Sequence, residues 1–117
     1  MTSLAAGQIV IVDWRDALPK EPNKVRPAIV VEDSDLFDPS YPNTVLVPLT
    51  DDPQLAIADL SVRIDPTPQN GCRKPSYALA HHVTTTSKAR IRGTDARITA
   101  QQLADIRRRI AITIGLE

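Results

Sequence analysis

Gln8-Ile-Val-Ile-Val-Asp-Trp14 sets four β-branched aliphatic residues in succession, a run of strand length rather than helix length. Residues 27–32 form a second such run, with Ile29, Val30 and Val31 adjoining. A third covers residues 44–49, where Pro48 lacks a backbone donor and so belongs at an edge or a bulge. Residues 58–65 alternate, with Ala58, Leu60, Val62 and Ile64 on one side and Asp59, Ser61, Arg63 and Asp65 on the other. That alternation predicts a strand with one wet face. Residues 77–83 predict a fifth strand, continued after a bend through residues 84–92. Proline-bearing loops over residues 15–25, 33–43, 51–57 and 66–75 join these segments.

The last segment has a different period. Thr99-Ala-Gln-Gln102 is a capping-box pattern, in which the Thr hydroxyl and the Gln amide satisfy free backbone N–H groups. Leu103, Ile106, Ile110 and Ile114 then recur at helical spacing, and Gly115 is a suitable stop. Arg107, Arg108 and Arg109 read as a solvated helix face whose cations complement the negative end of the helix dipole. The fold class that results is mainly β with a C-terminal helix, the helix packing on a small sheet or barrel.

At 117 residues the chain is expected to form a single domain over residues 1–117. Its 42% hydrophobic and 24% charged residues exclude a wholly disordered chain. Fourteen basic and fourteen acidic side chains exclude a histone-like polycation. The charges are nonetheless segregated: residues 27–65 hold eight acids and one base, residues 73–109 nine bases and two acids. Such asymmetry fits either a polyanion-binding face or two ordinary solvated faces. Cys72 is the sole cysteine and cannot form an internal disulfide, which suits a reducing compartment. No apolar run approaches the roughly 20 residues of a membrane helix, and the N-terminus has no signal-peptide pattern. The expected setting is cytoplasmic, with no membrane partner.

Three places offer chemistry. The loop after Trp14 carries Arg15, Lys20, Glu21 and Lys24 and leads to Arg26, whose planar fork suits a phosphate or a salt bridge. Pro48-Leu-Thr50 ends a strand in a hydroxyl that either bonds a phosphate oxygen or caps a turn. His81 and His82 are adjacent, so on a strand they diverge and make poor joint ligands for one metal ion. No zinc spacing, glycine-rich phosphate loop or GxSxG motif is present, and neither a metal nor a cofactor is expected.

Gly7-Gln-Ile-Val-Ile-Val-Asp-Trp14, Glu21-Pro-Asn-Lys-Val-Arg-Pro-Ala-Ile-Val-Val31 and Val45-Leu-Val-Pro-Leu-Thr50 together resemble the MazF/PemK (Kid) family of toxin endoribonucleases. Ser76-Tyr-Ala-Leu-Ala80 and Ile98-Thr-Ala-Gln-Gln-Leu103 continue the likeness in the same order. The resemblance implies an SH3-like barrel of the CcdB/Kid/MazF plasmid-maintenance toxin type, and a homodimer. It implies metal-independent cleavage of single-stranded RNA, mainly mRNA, at short sequences, and a cognate antitoxin protein that blocks the RNA groove. By motif, Arg26 matches the catalytic arginine, Thr50 the active-site threonine and Glu21 a contributing loop glutamate. His81-His82 stands where many members have Asp-Gln, so the group that replaces the aspartate in acid–base chemistry is a histidine or is absent; the proton carrier is then Glu21, His81 or His82. Trp14, Arg15, Lys20 and Lys24 are expected to bind RNA, with Trp14 stacking on a base. CcdB toxins share the fold but poison DNA gyrase by binding it; that activity, or a non-catalytic interaction barrel, is the alternative.

Overall fold

The structure, a computed structural model, describes residues 4–14 and 25–117. The β-branched runs form β1 (Gln8–Asp13), β2 (Val25–Val30) and β3 (Asn43–Thr50), followed by β4 (Ser61–Ile64), β5 (Ser76–Leu79), β6 (Thr84–Ser87), β7 (Ile91–Arg97) and the helix α1 (Ala100–Thr113). Every strand pairing is antiparallel, in the order β4-β5-β3-β2-β1-β7. β3 is the hub: β2 pairs along Leu46–Pro48, while β6 and β5 take successive parts of the strand at Asn43–Leu46 and Leu49–Thr50. The end strands β4 and β7 do not pair with each other, so the expected barrel is present in an open form.

Register sorts the apolar residues onto two faces. Ile9 opposes Ile29, which opposes Val47; this face packs with Ile64, Ala78 and the fully buried Ile106 of α1. Side chains at period 2 alternate across a sheet, so Val10, Val12, Ala28, Val30 and Leu46 point the other way. All five are fully buried, under Leu4, Trp14 and Ile91.

The helix forms as the sequence dictates at its start. The Thr99 hydroxyl accepts from Gln102 N–H at 3.1 Å, and the Gln102 amide oxygen accepts from Thr99 N–H at 2.9 Å. It ends at Thr113, with Gly115 at φ +84°, a conformation that other residues rarely adopt. Ile114 falls past the last helical residue and is exposed, so the apolar stripe stops at Ile110.

The arginines correct the reading of a merely solvated face. Arg107 donates through Nε to Val31 O and through Nη2 to Glu32 O, both at 3.0 Å. Arg109 donates to Asp59 O at 2.7 Å. These cations tie the helix to carbonyls beyond the strand ends, and none lies in its last turn.

Three further boundaries differ from the sequence reading. Ile57 O accepts from both Leu60 and Ser61 N–H, so a turn replaces the first half of the alternating segment and strand pairing begins only at Ser61. β5 stops at Leu79, and Ala80–His82 forms a turn of 3-10 helix instead of more strand. β7 reaches Arg97 in a stretch with little apolar alternation, held by pairing with β1.

Candidate active site

The second apolar face changes character at one end of the sheet. Val12 opposes Arg26 across β1 and β2, and Ala28 opposes Pro48 across β2 and β3. Carried two residues further, that register brings Arg26 beside Thr50. Period 2 keeps Trp14, Arg26, Pro48 and Thr50 on the face of Val12, Ala28 and Leu46. The face that buries valines in the middle of the sheet thus presents an indole, a guanidinium and a hydroxyl at its rim.

A cavity of about 440 Å³ opens there, lined by Trp14, Arg26, Thr50, Leu55, Leu79 and His82 among others. A second cavity of about 360 Å³ adjoins it, lined by Arg26, Thr50, Asp51 and Ser76 with Val25 and Pro27. Arg26, Leu49 and Thr50 line both.

Thr50 reconciles the two roles open to it from sequence. Its hydroxyl oxygen accepts from Asp52 N–H at 3.1 Å, which is the turn-capping role. Asp52 in turn accepts from Gln54 N–H at 2.9 Å and starts a short 3-10 turn. An oxygen engaged as acceptor keeps its own O–H as a donor. Capping therefore orients the hydroxyl without consuming its proton.

The two histidines part company. His82 lines the larger cavity with Arg26 and Thr50. Partial desolvation, then the neighbouring His81, lowers the pKa of this largely exposed ring below the ordinary 6.5, which favours its neutral form. His81 does not line that cavity, and its Nδ1 is buried with no hydrogen-bond partner among the described residues. The rings meet edge to face, with centroids 4.4 Å apart. A 3-10 turn advances one third of a turn per residue, so the two side chains leave the backbone in different directions while their rings stay in contact, unlike neighbours on a strand, which point to opposite faces.

Of the residues expected at the site, the fold gathers Trp14, Arg26, Thr50 and His82 and leaves His81 behind them. Arg15, Lys20, Glu21 and Lys24 lie outside the described residues. Asp51, Ser76 and Leu55 are additional lining residues. Asp51 directly follows Thr50 in the chain, a signal available in the sequence, whereas Ser76 and Leu55 come to the site only through pairing and the 3-10 turn. Arg90 and Arg92 line a third depression with Asp13 and Val25. Among the described residues no three His, Cys, Asp or Glu side chains gather where they could hold one metal ion. Nor is any described helix long and apolar enough to cross a membrane.

The family model of PemK-like, MazF-like toxins of type II toxin–antitoxin systems matches residues 5–114. No curated protein sequence matches the chain. Among solved structures, MazF from Deinococcus radiodurans superposes with a TM-score of 0.77 at 20% identity, over 98% of this chain and 99% of that one. The Mycobacterium tuberculosis toxin MazF-mt6 gives a TM-score of 0.72 at 19% identity, over 94% and 98%. A mycobacterial endoribonuclease in complex with its cognate antitoxin gives 0.73 at 18%, over 98% of both chains. At such identities the likeness is one of fold.

Proposed function

The chain belongs to the PemK-like, MazF-like toxins of type II toxin–antitoxin systems, and from that premise we propose that it is an endoribonuclease that cuts single-stranded mRNA without a metal ion. The observation that carries this reading is the meeting of Arg26, Thr50 and His82 in one cavity.

Cleavage of RNA by its own 2′-hydroxyl forms a bond from that oxygen to phosphorus and breaks the bond from phosphorus to the 5′-oxygen. A proton leaves the 2′-hydroxyl and another must reach the departing oxygen. Negative charge builds on the phosphorane between. The Arg26 guanidinium, with its fixed fork of donors, suits the two non-bridging oxygens. Thr50 supplies an O–H donor already oriented by its bond from Asp52 N–H. His82, held toward its neutral form, suits the removal of the 2′-proton, and its imidazolium then holds a proton for the leaving group. Glu21 is the second titratable group that the resemblance assigns to the site. Trp14 and Leu55 provide an apolar wall on which an unstacked base can lie.

The same reading includes a cognate antitoxin as inhibitor, in keeping with the toxin–antitoxin complex among the structural relatives. It also includes a homodimer, which light scattering at micromolar concentration tests; a 12.8 kDa species alone would reject it.

The deciding experiment incubates the purified protein with a long RNA in EDTA and maps the ends. Cuts with a 2′,3′-cyclic phosphate on one side and a 5′-hydroxyl on the other are expected. A strict need for added magnesium, or 5′-phosphate ends, would overturn the mechanism. Intact RNA would overturn the nuclease and leave gyrase binding or a non-catalytic interaction barrel.

A further inference from the structure

Arg26 and Thr50 line two cavities whose other lining residues differ in chemistry, and from this we infer that the Asp51–Ser76 cavity is a subsite for a nucleobase carrying an exocyclic amine, with Asp51 selecting it. The inference rests on the ribonuclease reading, which puts a phosphate against Arg26 and Thr50. A single strand with one phosphate on that pair has a nucleoside on each side of it, and two cavities share the pair as lining.

The larger cavity meets its base with Trp14, Leu55 and Leu79, surfaces that stack on any base. The smaller one offers hydrogen-bond acceptors. Asp51 is a carboxylate, acceptor on both oxygens when ionised. Its ion pair with Lys74 spans 3.5 Å between side chains 56% and 70% exposed, a weak and adjustable contact. Ser76, which lines the same cavity, donates its proton to Lys74 O at 3.2 Å, so what its hydroxyl has left to offer is the oxygen's acceptor capacity. Among the described residues, Val25, Pro27 and Leu49 also line this cavity and add no side-chain donor.

Acceptors select donors. Guanine presents two adjacent donors, N1–H and the exocyclic amine, that match the two oxygens of a carboxylate. Adenine and cytosine present one amine each. Uracil presents its single N–H between two carbonyl oxygens, which a carboxylate repels. The subsite therefore prefers guanine first, then the other amine-bearing bases, and disfavours uracil.

The test compares the wild type with Asp51→Ala and Asp51→Asn. Asp51 is exposed, so both variants are expected to fold, which circular dichroism checks. Cut sites on a mixed-sequence RNA are read by sequencing the ends. One position beside the cut is expected to be rich in guanine for the wild type, and Asp51→Ala is expected to lose that preference by roughly tenfold to a hundredfold. Preferences elsewhere should be unchanged. Asp51→Asn keeps one acceptor, adds donors, and is expected to admit uracil. Binding of short 2′-O-methyl oligonucleotides, which cannot be cut, is measured in parallel by fluorescence anisotropy. Cutting with the same site choice in all three proteins would overturn the subsite and leave the ribonuclease standing. Intact RNA, with guanine oligonucleotides bound more tightly than uracil ones only when Asp51 is present, would overturn the ribonuclease and leave the base subsite standing. Equal binding of both oligonucleotides by the wild type would overturn the subsite.

Discussion

Arg26 and Thr50 sit on the adjacent antiparallel strands β2 and β3 and line the same two cavities. A guanidinium fork and an oriented hydroxyl thereby border the same cavities from two strands. Strand-borne groups are held more rigidly than loop-borne ones, which suits charge stabilisation that must be in place before the reaction begins.

Arg26→Ala removes the only described cation that lines both cavities. The cost in transition-state stabilisation is expected to be on the order of 3 kcal/mol, about a hundredfold or more in rate. Arg26→Lys should rescue poorly, since a point charge lacks the fork. Single-turnover cleavage checks this, with circular dichroism to establish folding; wild-type rates in Arg26→Ala would remove the residue from the mechanism.

Thr50→Val removes both the acceptor for Asp52 N–H and the donor facing the cavities. A loss of about 1 kcal/mol of stability is expected from the turn, together with a lower cleavage rate. Thr50→Ser keeps the hydroxyl and should restore both. Urea unfolding and cleavage assays on the pair check this. A rate unchanged in Thr50→Val would leave the hydroxyl with turn capping alone.

His82 has a lowered pKa in the folded state, from burial first and His81 second. The unfolded chain therefore binds more protons than the folded one around and below pH 6.5, and stability should fall as pH drops through that value. His82→Gln should flatten the dependence. The same shift puts the acid limb of the cleavage profile below 6.5, and His82→Gln should lose roughly 10²–10⁴ in rate. A His81→Gln variant, altered at a ring outside the cavity, should change stability more than turnover. Retention of the wild-type rate and pH profile by His82→Gln would exclude it as the proton carrier.

Arg107→Ala breaks two bonds from a guanidinium to the carbonyls of Val31 and Glu32. Because the residue is exposed, the cost should be modest, about 1–2 kcal/mol. Cleavage per folded molecule should stay at the wild-type level, since Arg107 lies on α1 and lines neither site cavity. Thermal unfolding with activity measured on the folded fraction checks this. Lost turnover with intact stability would point to RNA contact by the helix instead.

Strand and helix identity was legible wherever one short-range rule acted alone. The β-branched run over β1 and the Thr99–Gln102 box each depend on neighbours a few residues away, and each formed as its pattern dictates, while β2 formed two residues earlier than its apolar run, at Val25–Val30. The start of β4 and the end of β5 were not legible. Their limits are set by the turn at Ile57 and by the 3-10 turn at Ala80, which the local alternation does not encode. The arginines of α1 read as solvated because their partners, backbone carbonyls 50 to 76 residues away, carry no side-chain signature.

From sequence alone came the mainly β fold with its terminal helix, the family, and the candidacy of Arg26, Thr50 and the two histidines. All of these are carried by residue type, short spacing or motif order. Tertiary structure alone decided which histidine lines a cavity with the arginine, that Thr50 caps a turn while keeping its proton, and that Asp51 and Ser76 share a cavity with Arg26 and Thr50. Those facts depend on strand register and on the angle at which a turn leaves its strand. Both are fixed by packing between segments far apart in the chain, and a linear pattern of residue types does not contain that angle.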